Sequence, residues 1–176
     1  MIRSSILTIL LGTSLALWSC EVSRERLEDH LAAYNVIVFM EVECPISQQY
    51  SLTLQKIRED YASLDSLNFI ALFTGKTGQK EAESFLDTYS LSFRAIADPD
   101  LAWAKQFRAE VTPEVYIVTR DLEVLSRGAI DNWYSALGQN RQVIDQHYLR
   151  DNLQALFSGK ELPFPKTKAI GCFIEY

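Results

Sequence analysis

The sequence predicts an α/β fold in which a central β-sheet is flanked by helices. Apolar segments of strand length alternate with segments whose apolar residues recur every three to four positions, which is the helical period. Residues 36–42 are apolar on both faces, as expected for a central strand covered by helices. A chain of 176 residues is long enough to form one domain with its own core.

The other elements follow from the same periods and from residues that begin or end helices. A helix is predicted over residues 46–61, with Tyr50, Leu54, Ile57 and Tyr61 on one face. Asp98 and Pro99 are expected to begin a helix, and Gly159 to end the last one. Further predicted segments are a short charged helix (23–34), strands (68–73, 94–97, 115–118, 124–127), helices (79–89, 98–107, 143–157), a loop (128–138) and an extended tail (161–176). This order is typical of an α/β sandwich.

Composition limits the function classes. The net charge is −6 with a pI near 5.0, and without a basic stripe the chain is not expected to bind nucleic acid. The hydrophobic fraction of 48% is that of a globular protein. Nothing after residue 20 is long and apolar enough to span a bilayer. Neither a cofactor nor a metal site is predicted.

The N-terminus has the pattern of an export signal. Arg3 is followed by an apolar run over residues 6–18, which ends in Leu17-Trp18-Ser19-Cys20. This ending resembles the lipobox of bacterial lipoproteins, although Trp18 is bulky for that motif. We therefore expect a signal peptide over residues 1–19, lipid on Cys20 and a membrane-anchored lipoprotein facing the periplasm or cell envelope. The alternatives are an ordinary signal peptide cut nearby, or an uncleaved anchor.

The domain limits follow from this signal. Residues 20–35 are predicted to form a linker with a short helix, residues 36–160 the domain, and residues 161–176 a C-terminal tail. If Cys20 carries lipid, Cys44 and Cys172 are the two remaining thiols. In an oxidising compartment such thiols are redox partners, metal ligands or unpaired.

Cys44 is the candidate reactive residue because it connects the first strand to the first helix. Free backbone N–H groups and the positive end of the helix dipole favour a thiolate there, with a pKa that can fall to roughly 3.5–7.5. Pro45 suits the first helical position, where its missing N–H has no partner to lose. We expect Cys44 to be at least partly accessible. The alternative is a buried structural cysteine.

Several motifs carry a resemblance to a known family. Cys44-Pro45-Ile46-Ser47 is followed some seventy residues later by Thr112-Pro113, which opens a strand. The late segments Arg-Gly-Ala-Ile-Asp-Asn, Gly-Lys-Glu-Leu-Pro and Gly-Cys-Phe-Ile follow in order. Together they resemble the thioredoxin-like superfamily, in particular exported redoxin domains of the alkyl hydroperoxide reductase/thiol-specific antioxidant branch. The resemblance implies a thioredoxin-like fold with a mixed sheet, and a cis proline at Pro113 beside Cys44.

The resemblance also implies a function and a set of site residues. The implied activity is thiol–disulfide oxidoreductase or thiol-dependent antioxidant chemistry, on protein thiols and disulfides or on a peroxide. Cys44 would attack, and Cys172 would resolve the mixed disulfide or else be an exposed or interface thiol. Thr112 and Pro113 would bind the substrate chain, with Pro45 and Ser47 completing the site. The alternative is a non-enzymatic binding module that holds a partner protein or a soft metal.

The chain departs from the family patterns at three positions. Ser47 stands where dithiol members have a second cysteine, although its hydroxyl can hydrogen-bond a Cys44 thiolate. Glu41 and Ile37 stand where peroxidatic members have Thr or Ser and Pro. Elsewhere, two interpretations stay open. His147 is a packed surface histidine or a metal ligand, and the loop with Asp131 and Asn132 shapes the rim of the site or forms a turn.

Overall fold

The computed structural model describes residues 26–176 and contains nine strands and four α-helices there. The strands are β1 Tyr34–Met40, β2 Leu67–Thr74, β3 Arg94–Asp98, β4 Val111–Thr112, β5 Glu114–Thr119, β6 Val124–Gly128, β7 Tyr134–Ala136, β8 Gln139–Asn140 and β9 Cys172–Phe173. The helices are α1 Pro45–Asp60, α2 Gln79–Thr88, α3 Ala102–Phe107 and α4 Tyr148–Phe157. No helix in this part of the chain is long and apolar enough to cross a membrane.

Five strands form one mixed sheet in the order β3-β2-β1-β5-β6. β1 is central: it pairs in parallel with β2 and antiparallel with β5, so that Val36 lies between Phe69 and Ile117. β3 extends the parallel half, and β6 extends the antiparallel half. This arrangement confirms the predicted mixed central sheet. Two small sheets lie outside it, β4 with β9 and β7 with β8.

Helices cover both faces of the sheet because the side chains of β1 alternate between the two faces. On one face Val36, Val38 and Met40 pack with apolar residues of α1, α2 and α4. On the other face Ile37 and Phe39 pack with residues of α3. The apolar residues 36–40 of β1 are therefore buried on both sides, as the sequence predicts.

The predicted charged helix over residues 23–34 is wrong in its described part. Only Leu27–His30 forms a turn of 3-10 helix, and β1 already begins at Tyr34. The Asn35 side chain accepts a hydrogen bond from the Ala32 N–H at 2.8 Å and donates to the Ala32 carbonyl at 3.1 Å. These bonds fix a turn where the helix was expected to continue. Ser23 lies outside the described residues.

Two other helices begin later than predicted. α3 begins at Ala102, and the Asp98 carboxylate accepts hydrogen bonds from the N–H groups of Trp103 and Ala104 at 3.2 and 2.9 Å. Asp98 therefore caps the N-terminus of α3, as predicted, although it lies four residues before the first helical residue and not next to it. α4 begins at Tyr148 instead of residue 143, and Val143 is exposed. The last helix ends before Gly159, which has a φ of 66°.

Candidate functional site

Cys44 lies where β1 is connected to α1. It is the residue immediately before the helix, and Pro45 is the first helical residue. The Cys44 carbonyl accepts the Gln48 N–H at 3.1 Å, while its own N–H donates to the Glu41 carbonyl at 3.2 Å. The predicted position at a helix N-terminus is confirmed. The free N–H groups of the first turn therefore lie beside this cysteine.

Cys44 and Cys172 form a disulfide. Their Cα atoms are 6.1 Å apart although the residues are 128 positions apart in sequence, and this distance lies within the range of protein disulfides. Cys44 is only 2% exposed, while Cys172 is partly buried. The expectation of an accessible Cys44 is therefore wrong for the disulfide form, because the tail that carries Cys172 lies against it.

The peptide bond between Thr112 and Pro113 is cis, and it lies beside the disulfide. The Thr112 carbonyl oxygen is 3.1 Å from the Cys44 Sγ. A disulfide sulfur carries no hydrogen, so this is a close contact in the oxidised form. In the dithiol form the Cys44 S–H can donate to the same oxygen. Thr112 also pairs with Cys172 across the β4–β9 ladder, so the structure brings Cys44, Thr112, Pro113 and Cys172 together.

Two hydroxyl groups in this region are buried without a hydrogen-bond partner among the described residues. They belong to Ser47, in the first turn of α1, and to Thr112. Leaving a buried hydroxyl unpaired costs about 1–3 kcal/mol. Buried hydroxyls without a partner are rare in native folds, and a functional role is one explanation for them. Both residues belong to the predicted substrate-binding set.

Acidic side chains of the β1–α1 turn and of the tail lie around one cavity. Glu41, Glu43 and Glu175 line a cavity of about 540 Å³. Burial, followed by the nearby carboxylates of Glu43 and Glu175, raises the pKa of Glu41 above its usual value. A Cβ on Gly75 would lie 3.5 Å from the Glu41 Oε1, so this carboxylate is directed toward Gly75. The end of the tail thus places the Glu175 carboxylate near those of Glu41 and Glu43.

Asp131 fixes the aromatic loop to α1. Its Oδ1 accepts hydrogen bonds from the Tyr50 hydroxyl at 2.6 Å and from the Trp133 N–H at 2.9 Å. The Tyr50 ring packs against Trp133 and Tyr134 with centroid distances of 5.4 and 5.9 Å. Burial, and then the bond to Asp131, raises the pKa of Tyr50, so the proton stays on the phenol. Sequence patterns did not single out the Tyr50–Asp131 pair.

The remaining candidate residues from the sequence do not contribute to the site around Cys44 as the structure describes it. Asn132 accepts the backbone N–H groups of Asp145 and Gln146 at 3.2 and 3.3 Å, which is turn chemistry. His147 is exposed at the N-terminal end of α4. Within residues 26–176 no three His, Cys, Asp or Glu side chains form a group that could hold a metal ion. Cys20 lies outside the described part of the chain.

Comparison with known proteins gives structural neighbours only. No family model matches the chain, and no curated protein matches it either. An uncharacterized conserved protein from Geobacillus kaustophilus has 26% sequence identity and a TM-score of 0.75, over 86% of this chain and 82% of that chain. A hypothetical protein from Sinorhizobium meliloti has 20% identity and a TM-score of 0.71, over 82% and 80% of the two chains.

A third solved structure decides the fold class. It is assigned as the thiol:disulfide interchange protein DsbE from Chlorobium tepidum, with 17% identity and a TM-score of 0.50 over 57% of this chain and 70% of that chain. The chain has the thioredoxin-like fold. At this identity the likeness establishes the fold alone.

Proposed function

We propose that this chain is a thiol–disulfide oxidoreductase that alternates between the Cys44–Cys172 disulfide and the dithiol. The observation that carries the proposal is the disulfide itself, which joins a cysteine at the N-terminus of α1 to a distant tail cysteine beside the cis peptide. The thioredoxin-like fold supports a redox role of this general kind. The partners are protein thiols and disulfides.

In the reductive steps, an external thiolate attacks the Cys172 sulfur, because Cys172 is the more exposed of the two cysteines. A bond forms between the external sulfur and Cys172, and Cys44 leaves as a thiolate. The N-terminus of α1 stabilises this thiolate and makes Cys44 the better leaving group. A second external thiolate then releases Cys172. Two external thiols have become one disulfide, and the protein has gained two electrons.

In the oxidative steps, the Cys44 thiolate attacks the disulfide of a partner. One partner sulfur leaves as a thiolate, and the other is joined to Cys44. The Cys172 thiolate then attacks the Cys44 sulfur, which restores the internal disulfide and releases the reduced partner. The Ser47 and Thr112 hydroxyls, which have no hydrogen-bond partner within residues 26–176 in the disulfide form, are available to donate to the thiolate. Pro45 begins the helix, and Thr112 with Pro113 contacts the incoming chain.

Serine variants of each cysteine test this division of roles. The chain should carry Cys20→Ser, so that only Cys44 and Cys172 react. With excess external thiol, Cys44→Ser should abolish disulfide reductase activity, whereas Cys172→Ser should only slow turnover. If Cys172→Ser alone removes all activity under these conditions, Cys44 is not the attacking residue.

The burial of Cys44 favours a second candidate, a non-enzymatic binding module in which the disulfide is a permanent covalent link. At 2% exposure, Cys44 in the disulfide form is inaccessible to a partner. The two candidates differ in the reduced protein. A redox-active Cys44 has a depressed pKa and is alkylated quickly near neutral pH, whereas a structural cysteine reacts slowly.

The finer assignments are also proposals. The redoxin resemblance suggests the alkyl hydroperoxide reductase/thiol-specific antioxidant branch and a peroxide as a possible oxidant, which a peroxide-consumption assay with Cys44→Ser as control would test. The N-terminal pattern suggests export and a lipid anchor on Cys20. Intact-mass analysis of membrane-fractionated native protein tests the anchor: the mature chain should begin at Cys20 and carry diacylglycerol.

A further inference from the structure

The C-terminal tail is fixed to the domain on both sides of residues 168–173, a segment here named the strap. Before the strap, the Thr167 N–H donates to the Arg127 carbonyl at 3.0 Å. After it, the Ile174 N–H donates to the Glu110 carbonyl at 3.1 Å. The strap is therefore a bridge with two anchored ends, and it carries Cys172 across the site.

The strap contacts the site as an added strand. In the β4–β9 ladder Cys172 pairs with Thr112, and Phe173 pairs with Val111. Within the described part of the chain this ladder consists of these two strands alone. Extended chains add to a strand in this way through backbone hydrogen bonds, which do not depend on side-chain identity. β4 can therefore receive another extended chain in place of the strap.

The residue before Cys172 sets a condition on such a chain. A Cβ at Gly171 would lie 2.2 Å from the Thr112 carbonyl oxygen and 3.2 Å from the Pro113 nitrogen. Both atoms are backbone, and 2.2 Å is far inside van der Waals contact. Glycine is thus the residue that lets the strap approach closely enough for the Cys172 sulfur to reach Cys44.

At positions other than Gly171, the space around the strap can hold larger side chains. Phe173 is 73% exposed, so the position after the cysteine faces open space. A cavity of about 910 Å³ lies beside the strap, and its lining includes Val111, Leu137 and Ile170. The segment that precedes the cysteine therefore has space, between apolar side chains and the charged side chains of Glu110, Glu114 and Arg127, and the strict requirement is confined to the glycine position.

We propose that the strap is the internal occupant of a docking site for an extended partner chain whose Gly-Cys pair supplies one sulfur of a disulfide. The Cys44 thiolate of the dithiol form attacks this sulfur, and the other sulfur of the partner disulfide leaves as a thiolate. A partner sulfur that joins Cys44 must lie where the Cys172 sulfur lies, so the backbone of the partner follows the path of the strap. The residue before the partner cysteine then has no space for a Cβ beside the Thr112 carbonyl oxygen. The disulfide form excludes the partner, and in the dithiol form the partner displaces the strap. This inference rests on the proposed redox role of Cys44.

The test uses the full chain with Cys20→Ser and Cys172→Ser, which leaves Cys44 as the reactive thiol. The probes are the peptide Ala-Ile-Gly-Cys-Phe-Ile and its Ala-Ile-Ala-Cys-Phe-Ile counterpart, each joined through its cysteine to 2-nitro-5-thiobenzoate. Attack by Cys44 on the peptide sulfur breaks that disulfide, forms a Cys44–peptide disulfide and releases the coloured thiolate. Mass spectrometry identifies the peptide adduct.

The glycine peptide should form the adduct about tenfold faster or more, since a Cβ at this position would lie 2.2 Å from the Thr112 carbonyl oxygen and the packed site would have to shift. Adding Gly171→Ala should displace the strap and raise the rate with the glycine peptide. The matched control is Gly78→Ala, where φ is −82° and a Cβ would meet no atom within 4 Å. It should leave both rates unchanged. The comparison of the two peptides uses the chain with Cys20→Ser and Cys172→Ser alone, so it does not depend on the folding of the Gly171 variant.

The outcomes separate this proposal from the proposed function. Equal rates for the two peptides, together with rapid alkylation of Cys44 by iodoacetamide, would overturn the docking site and leave the redox role standing. If Gly171→Ala folds but does not accelerate the reaction, the strap is not the occupant. If Cys44 reacts neither with the peptides nor with iodoacetamide in the reduced protein, the proposed function fails as well.

Discussion

Breaking the Cys44–Cys172 disulfide should destabilise the domain by several kcal/mol. The perturbation is Cys172→Ser in the Cys20→Ser chain, or reduction of the parent by dithiothreitol. The bond links residues 128 positions apart, so in the unfolded chain it closes a loop that includes nearly the whole domain. Such a cross-link acts mainly by limiting the conformational entropy of the unfolded state.

The chain-entropy relation for a loop of this length gives about 5 kcal/mol at 25 °C, and measured disulfides commonly give about 2–4 kcal/mol. We therefore expect the free energy of unfolding to fall by about 3–5 kcal/mol. For a domain of this size, about 2–4 °C of Tm accompanies each kcal/mol, so Tm should fall by roughly 6–20 °C. The denaturant slope should rise, because the uncrosslinked chain exposes more surface on unfolding.

The assay is urea unfolding followed by circular dichroism, with oxidised parent, reduced parent and the Cys172→Ser variant compared at one pH. The reduced parent and the variant should have similar midpoints, and dithiothreitol should not change the variant further. If oxidised and reduced parent unfold at the same urea concentration with the same slope, the two cysteines are not joined in the native protein.

Two further predictions concern groups near the site. Tyr50→Phe should destabilise the domain by about 1.5–3 kcal/mol in thermal unfolding, because it removes a hydrogen bond to the buried Asp131 carboxylate; an unchanged Tm would contradict this. Glu114→Gln should stabilise the chain at pH 8 but not at pH 4. Burial raises the pKa of Glu114 above its usual value, so the stability that the neutral carboxyl contributes is fully present below the unfolded-state pKa and is lost as pH rises through the folded-state pKa. A gain in stability that is equal at both pH values would exclude titration of Glu114 as the cause.

The parts of the fold set by local patterns could be predicted from the sequence. The apolar run of β1, the helical period of α1 and the order of strands and helices predict the α/β class, whereas the mixed sheet follows only from the family resemblance. Cys44 at the helix start followed from the strand–cysteine–proline order, which is a local signal. The Thr112–Pro113 pair could be placed beside Cys44 only through the family resemblance, because nothing local brings together residues 68 positions apart.

The pairing of Cys172 with Cys44 could be predicted only as one of two alternatives, and the strand pairing that docks the tail could not be predicted. β9 has two residues, too few to show a period of two, and its partner β4 is equally short. Nothing in the neighbouring sequence distinguishes Gly171 from other glycines. Its requirement comes from the Thr112 carbonyl, which lies against it only in the folded protein. For the same reason local patterns favour an accessible Cys44 over the buried alternative, since its burial depends on a distant segment and not on neighbouring residues.

The most direct test of the redox account is a titration of the Cys20→Ser chain in glutathione buffers, with free thiols trapped by alkylation and located by peptide mapping. Cys44 and Cys172 should become protected together as the buffer is made oxidising, in a single two-electron transition that is fully reversible. Cys44→Ser should leave Cys172 without an internal partner. The account would be contradicted if Cys44 and Cys172 were oxidised independently, or if the disulfide stayed intact in the folded chain throughout the reducing range.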